Sequence, residues 1–256
     1  MNIIKRIYDR LFICKPESVL FLTMHKAGSV LMGNTLLQNM VGLEHCDYTA
    51  KVFLGEEIKK TEFHKKGYVY GPIRINLPNS SDEYTKVVEL VCNQGFLKTR
   101  KVIFMVRDPR DILVSSYFSF AYSHKARPGE EESFEKMRNV IKETKIDEYV
   151  LENASALNSR FEIMHNLISY TASHIVIRYE DMINEYEKFI NKISEIVSLN
   201  PEVIEKLKLE SRPLDKENIM NHKRSGKPGG YKNHLKCETI NSLNQILKDS
   251  ILLFEY

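Results

Sequence analysis

The chain has 256 residues, of which 43% are hydrophobic and 28% charged, with a net charge of +3. That length suits a single large domain, and the composition is that of a soluble globular protein, not a fibrous or disordered one. The small basic excess carries no argument for nucleic acid and is compatible with a local basic pocket for an anionic ligand.

Four cysteines, Cys14, Cys46, Cys92 and Cys237, stand without a CxxC pair. This argues against a zinc site or a disulfide framework and fits a reducing, cytoplasmic compartment. No apolar run approaches transmembrane length, and no secretory signal pattern opens the chain.

Residues 2–13 place Ile3, Ile4, Ile7, Leu11 and Phe12 opposite Lys5, Arg6, Asp9 and Arg10, which predicts an amphipathic helix. Packing on its own domain is the expectation, with peripheral contact to a membrane surface as the alternative. Pro16 ends this element. The run from Ser18 to Met24 predicts a buried strand. It leads into His25-Lys-Ala-Gly-Ser29, a small polar loop, and then a helix over 30–41 with Leu31, Met32, Leu36, Leu37 and Met40 on one face.

A strand, a small-residue loop and a helix aim backbone N–H groups and a positive helix end at an anion. Gly28 removes a Cβ from that approach. Ser29 can cap the helix and donate a hydroxyl, and Lys26 supplies a point charge. An ordinary strand-to-helix turn with an exposed lysine remains open. The loop is not a Walker A, since Gly-Lys-Ser/Thr after a four-residue spacer is missing.

Residues 42–66 are mixed, with His45, Asp47 and His64 as polar candidates. A short buried strand is predicted over 67–71, leading through Arg74 to Asn76-Leu-Pro78. A turn at 79–82 and a helix over 83–98 follow. Lys101 to Val106 is a β-rich run of the kind buried in parallel sheets, ending at Arg107-Asp-Pro-Arg-Asp111. Pro109 suits a first helical turn, and Ser115 falls roughly two turns into that helix. Arg107 therefore sits at a carboxyl sheet edge, where open α/β sheets bind ligands. A local ion pair with Asp108 or Asp111 is the alternative.

Residues 121–132 read as a surface loop, a lid over an acceptor, and 133–169 as mostly helical. A strand over 174–179 is followed by Glu180 and Asp181, acids that a helix dipole explains without catalysis. Another helix runs to Val197, and Pro201 opens the next. His222 to Lys232 combines three lysines, one arginine and three glycines. It reads either as a disordered linker or as a basic clamp over a polyanion. A packed helix from about residue 238 anchors its far end. The element order predicts an α/β fold with a mainly parallel central sheet and helices on both faces.

Taken together, these segments resemble the sulfotransferase family, whose donor is 3′-phosphoadenosine 5′-phosphosulfate (PAPS), over roughly residues 18 to 254. His25-Lys-Ala-Gly-Ser29 resembles its 5′-phosphosulfate loop, Pro-Lys-Ser-Gly-Thr. Arg107 with Ser115, eight residues on, resembles the 3′-phosphate motif. Arg178-Tyr-Glu-Asp181 resembles a Tyr-Glu-Asp segment whose Tyr reaches the adenine. Arg224-Ser-Gly-Lys-Pro-Gly-Gly-Tyr-Lys232 resembles the family's nucleotide clamp, with Tyr231 at a tryptophan position.

The resemblance implies a P-loop-like three-layer α/β/α fold, with residues 1–17 as an N-terminal amphipathic helix and 18–256 as a single sulfotransferase domain. It implies in-line sulfuryl transfer from PAPS to a hydroxyl or amine of a small-molecule, lipid or glycan acceptor, with no metal required. Lys26, Ala27, Gly28, Ser29, Val30, Arg107, Ser115, Tyr179, Arg224, Ser225 and Gly226 become the expected donor-binding residues, and Lys26 the expected catalytic cation.

Many family members carry a His base in a Lys-x-His-Leu-Pro segment. Here the matching stretch is Arg74-Ile-Asn-Leu-Pro78, and Asn76 has no titratable group near neutrality. His25 is one candidate for the base; Asp47, His64 and His124 are the others. A PAPS-binding protein without transfer activity and a P-loop-type kinase or NTPase are the competing readings. Asn76 motivates the first of these, and the absence of a Walker A counts against the second. Acceptor pockets in such folds are lined by variable segments, here 42–66 and 121–138.

Overall fold

The computed structural model of the chain describes residues 15–53, 63–75, 83–221 and 223–256. The expected helix over 2–13, Asn76, the turn at 79–82 and His222 lie outside the described residues.

Five strands form the centre: β1 (Val19–Thr23), β2 (Glu44–Cys46), β3 (Tyr68–Arg74), β4 (Lys101–Val106) and β5 (Ser173–Arg178). They pair in the order β2-β3-β1-β4-β5, and every pairing is parallel. The four apolar runs read from sequence are all strands. β2 was not expected, because Glu-His-Cys has no apolar run and forms a partly exposed edge. β1 is buried along its whole length. Its side chains alternate across the sheet, Leu20 and Leu22 to one core and Val19 and Phe21 to the other, as a period of two requires.

The helices flank this sheet. Ser29–Leu31 (α1) continues as a π-helical turn, Met32–Leu36, and a 3-10 turn, Leu37–Asn39. The regular helix expected over 30–41 is broken there because Gly33-Asn-Thr35 is a run of weak helix formers. The segment still buries Met32, Leu36 and Leu37. Next come α2 (Tyr48–Phe53), α3 (Glu83–Val91) and α4 (Gln94–Leu97). The single helix expected over 83–98 divides at Asn93, whose side chain caps α4 by accepting from Phe96 N at 3.2 Å.

α5 (Pro109–Phe118) follows β4. α6 (Glu131–Glu143) and α7 (Ile146–Tyr170) divide the long helical stretch at Thr144 and Lys145, which are extended. After β5 come α8 (Tyr179–Asn184), α9 (Tyr186–Ser194) and α10 (Pro201–Ser211), then α11 (Cys237–Ile246) and α12 (Lys248–Leu253). Tyr179, expected as the last strand residue, opens α8 instead.

α1, α9 and α10 pack on one face with Phe21, Ile103, Met105 and Ile175. α3, α5, α7 and α11 pack on the other with Leu20, Leu22 and Phe104. The result is the expected three-layer α/β/α arrangement. The chain leaves β1 for one face and β4 for the other, so a crevice opens between their carboxyl ends. This is a topological switch point, the usual ligand position in open α/β sheets.

Candidate active site

The loop after β1 turns sharply. Lys26 and Gly28 both hold positive φ, 67° and 89°. A Cβ on Gly28 would stand 3.0 Å from Tyr179 Cδ2 and 3.2 Å from Met105 Cε, so both φ and space demand glycine. The Tyr179 ring thus underlies the loop. Its hydroxyl donates to the Gly226 carbonyl at 2.9 Å, tying the basic segment to the end of β5.

Arg107, at the end of β4, lies over the same ring, 4.3 Å from its centre. Its Nη1 donates to the Lys26 carbonyl at 3.0 Å. Its Nε is buried and meets no partner among the described residues. Lys26 Nζ donates to Ser119 Oγ at 2.8 Å, and Arg74 Nε donates to Ser29 Oγ at 3.1 Å.

The basic segment is built onto this core and is not a linker. Asp111, on α5, accepts from the backbone N–H groups of Gly229 (2.7 Å) and Tyr231 (2.9 Å), with Arg107 Nη2 3.8 Å away. Burial pushes the Asp111 carboxyl up, against the downward pull of Arg107. Arg224 lies over the Phe118 ring at 4.5 Å, pairs with Glu217 and contacts His234 Nε2 at 2.8 Å. Leu214 N and Asn218 N donate to the carbonyls of Ser225 and Arg224.

The acids flanking the site are structural. Asp108 pairs with Arg110 at 2.7 Å, Glu180 accepts from Asp108 N, and Asp181 takes both arms of Arg178. The ion pair considered for Arg107 therefore forms with Asp111 and not with Asp108.

These groups surround a cavity of about 600 Å³. Lys26, Gly28, Ser29, Val30, Arg107, Ser115, Tyr179, Arg224, Ser225 and Gly226 line it. Ala27 does not; it is fully buried in the core. Tyr231 is also buried, under Arg110, and lies off the cavity wall.

The cations oppose one another. Burial, then Arg107, Arg74 and Arg224, lower the Lys26 ammonium to about 8. Burial and Arg107 lower the Arg224 guanidinium to about 10. A polyanion bound here would relieve that strain and meet the unpartnered Arg107 Nε.

A second cavity, of about 390 Å³, adjoins the first on the α5–α7 side; His25, His124 and Arg127 line both. The His25 ring stacks on Phe120 with centroids 5.7 Å apart and meets His124 edge-on at 5.5 Å. Burial, and then the Lys26 and Arg74 charges, hold its imidazole well below the usual value, so it is neutral near pH 7. Asp47 lines the first cavity while capping Ala50 N at 2.9 Å. His64 lines neither cavity and lies against Tyr68.

Ser119, Arg127 and Arg160 escaped the reading of the sequence. Ser119 is one of many serines in the chain. Arg160 is visible only as a charge on the Tyr149, Asn153, Ala156 stripe of α7.

Residues 16–254 match the family model described as Sulfotransferase domain. The chain is 26% identical over 187 residues to sulfotransferase 2A6 of Mus musculus, a match covering 65% of this chain and 62% of that protein, less than two thirds of its length. Its fold is similar to that of mouse sulfotransferase SULT7A1 complexed with PAP, with a TM-score of 0.51, 13% identity, and 92% of this chain and 84% of that one covered. It is equally similar to retinol dehydratase in complex with androsterone and the inactive cofactor PAP, with a TM-score of 0.51, 14% identity, and 93% and 81% covered.

Proposed function

The chain belongs to the sulfotransferase family, and from that premise we propose that it moves a sulfuryl group from PAPS to a hydroxyl or amine of a small-molecule acceptor. One observation carries the reading: Lys26, Arg107 and Arg224 converge on one cavity at the sheet's switch point, and among the described residues Asp111 and Glu217 are the acids paired with these three cations. Two fold neighbours are complexed with PAP, the desulfated nucleotide, which supports the same donor.

In this reading the N–H groups around Gly28 and the Ser29 hydroxyl hold the 5′-phosphate. Arg107, Ser115 and Arg224 hold the 3′-phosphate. Tyr179 supports the loop from below and positions Gly226 through its hydroxyl. The acceptor occupies the second cavity and presents its hydroxyl at His25, where the two cavities meet. Neutral His25 takes the hydroxyl proton as the oxygen attacks sulfur. The bond between sulfur and the bridging oxygen breaks, and Lys26 stabilises the charge arriving on the 5′-phosphate. Positioning and charge stabilisation carry the catalysis. A sulfuryl group bears less charge than a phosphoryl group, so the reading assigns no metal.

The test is calorimetric titration with 3′-phosphoadenosine 5′-phosphate, with ATP as control and no Mg²⁺. Tight bisphosphate binding, weak ATP binding and loss of the former in Arg107→Ala are expected. Absence of bisphosphate binding defeats the reading, and Mg²⁺-dependent ATP turnover would replace it with a kinase or NTPase. Tight bisphosphate binding without any sulfuryl transfer would leave a PAPS-binding protein.

A further inference from the structure

The second cavity has a polar end that the transfer chemistry does not use. Its walls are mixed: Leu113, Phe120, Phe134 and Leu157 supply an apolar side, and Lys125, Arg127, Glu130 and Arg160 supply charges. Arg160, on α7, opens into this space with Tyr149 one stripe along the same helix. Among the described residues no side chain or carbonyl hydrogen-bonds the Arg160 guanidinium, and its Nε is buried without a partner. Of the described residues, Glu130 is the only carboxylate lining the cavity. No acid among the described residues pairs with Arg160, and its charge reaches His25, the group on the shared wall.

Arg160 is half-buried with its Nε fully buried, and a guanidinium so placed without an acid bears part of its desolvation cost until something brings one. Arginine's planar fork matches a carboxylate with two parallel hydrogen bonds. About 390 Å³ is within the range of small-molecule sites, whose walls are typically apolar with a few placed polar groups.

We propose that the acceptor is a hydroxy acid: a small molecule with a hydroxyl at one end, an apolar body, and a carboxylate at the other end held by Arg160. This rests on the sulfotransferase reading for the hydroxyl, and on the cavity alone for the carboxylate. Arg160 then selects among acceptors without touching the reacting atoms. Tyr149 adds a hydroxyl beside it.

The experiment is calorimetric binding of 4-hydroxyphenyl alkanoic acids, with side chains of increasing length, against their methyl esters. It uses the full chain with and without the bisphosphate. At least one acid is expected to bind about tenfold or more tighter than its ester, as a charge-assisted pair warrants. Arg160→Gln should abolish that difference while leaving bisphosphate affinity unchanged and without lowering the melting temperature. Arg160→Lys, which keeps the charge and loses the fork, should retain part of it.

Esters binding as well as acids, acid preference persisting in Arg160→Gln, or no acid binding at all each overturn the proposal. The arms without nucleotide keep the two readings apart. Failure of the bisphosphate to bind removes the donor site, and the acid-against-ester comparison still judges Arg160.

Discussion

Lys26 offers a test that uses no substrate. Its ammonium falls from 10.5 to about 8 in the folded protein, through burial first and three arginines second. Between those values the unfolded chain binds more protons than the folded one, so stability rises with pH across the window. The charge opposes folding by up to about 3.4 kcal/mol at pH 7 and about 1.4 kcal/mol at pH 9.5, where much of the lysine is already neutral.

Lys26→Met keeps the stem and removes the charge. It also loses the bond to Ser119, worth about 1 kcal/mol, and water in the cavity screens part of the repulsion. The variant should then be about 2 kcal/mol more stable at pH 7 and melt about 5 °C higher. At pH 9.5 the two proteins should melt nearly together. The bisphosphate should raise the melting temperature of the wild type far more than that of the variant. A variant that melts below the wild type at pH 7, or whose advantage persists undiminished at pH 9.5, refutes the account of one lysine depressed by burial and by three arginines.

Three further outcomes follow from the same geometry. His25→Ala should lower kcat by about 10²-fold or more with bisphosphate affinity retained. Because His25 is a base held well below 6.5, the wild-type rate should stay flat on acidification through pH 6.5 and fall only below it; an acid limb centred at or above 6.5 assigns the base elsewhere. Asp111→Ala strands two backbone N–H groups and frees Arg107, so a loss of about 2 kcal/mol is expected, together with faster proteolysis in 223–232 and weaker bisphosphate binding; unchanged proteolysis would mean the segment is held by other contacts. Gly28→Ala forces a Cβ against Tyr179 at φ 89° and should cost about 1–3 kcal/mol, read by melting, and most of the nucleotide affinity, read by calorimetry.

The centre of the sheet was legible because β1, β3 and β4 are buried on both faces and therefore appear as apolar runs. The cradle was legible because glycine and a lone lysine after such a run have a narrow set of uses. β2 was not, since a three-residue edge strand takes its pairing from β3 and not from its own letters. The π-helical turn after α1 was hidden because apolar spacing fixes the buried face and not the hydrogen-bond ladder. Ser119 meets Lys26, and Arg160 reaches the second cavity, from helical segments whose periodicity reports only which residues are buried. What those two side chains face depends on the neighbouring elements, about which the local sequence is silent.

Asp111 holds Gly229 and Tyr231 by their main-chain hydrogens, and this has a consequence for how the chain can change. A tether that reads no side chain places no demand of its own on the letters between Gly226 and Gly229, only on their path. Lys227 and Pro228, exposed or partly so, can drift freely, while Gly229, at φ 73°, cannot. Saturation mutagenesis should therefore show an intolerant aspartate, an intolerant glycine 118 residues away, and tolerance at Lys227 and Pro228 just before it. The basic segment becomes a place where charge, and with it nucleotide affinity, can be retuned without rebuilding the site.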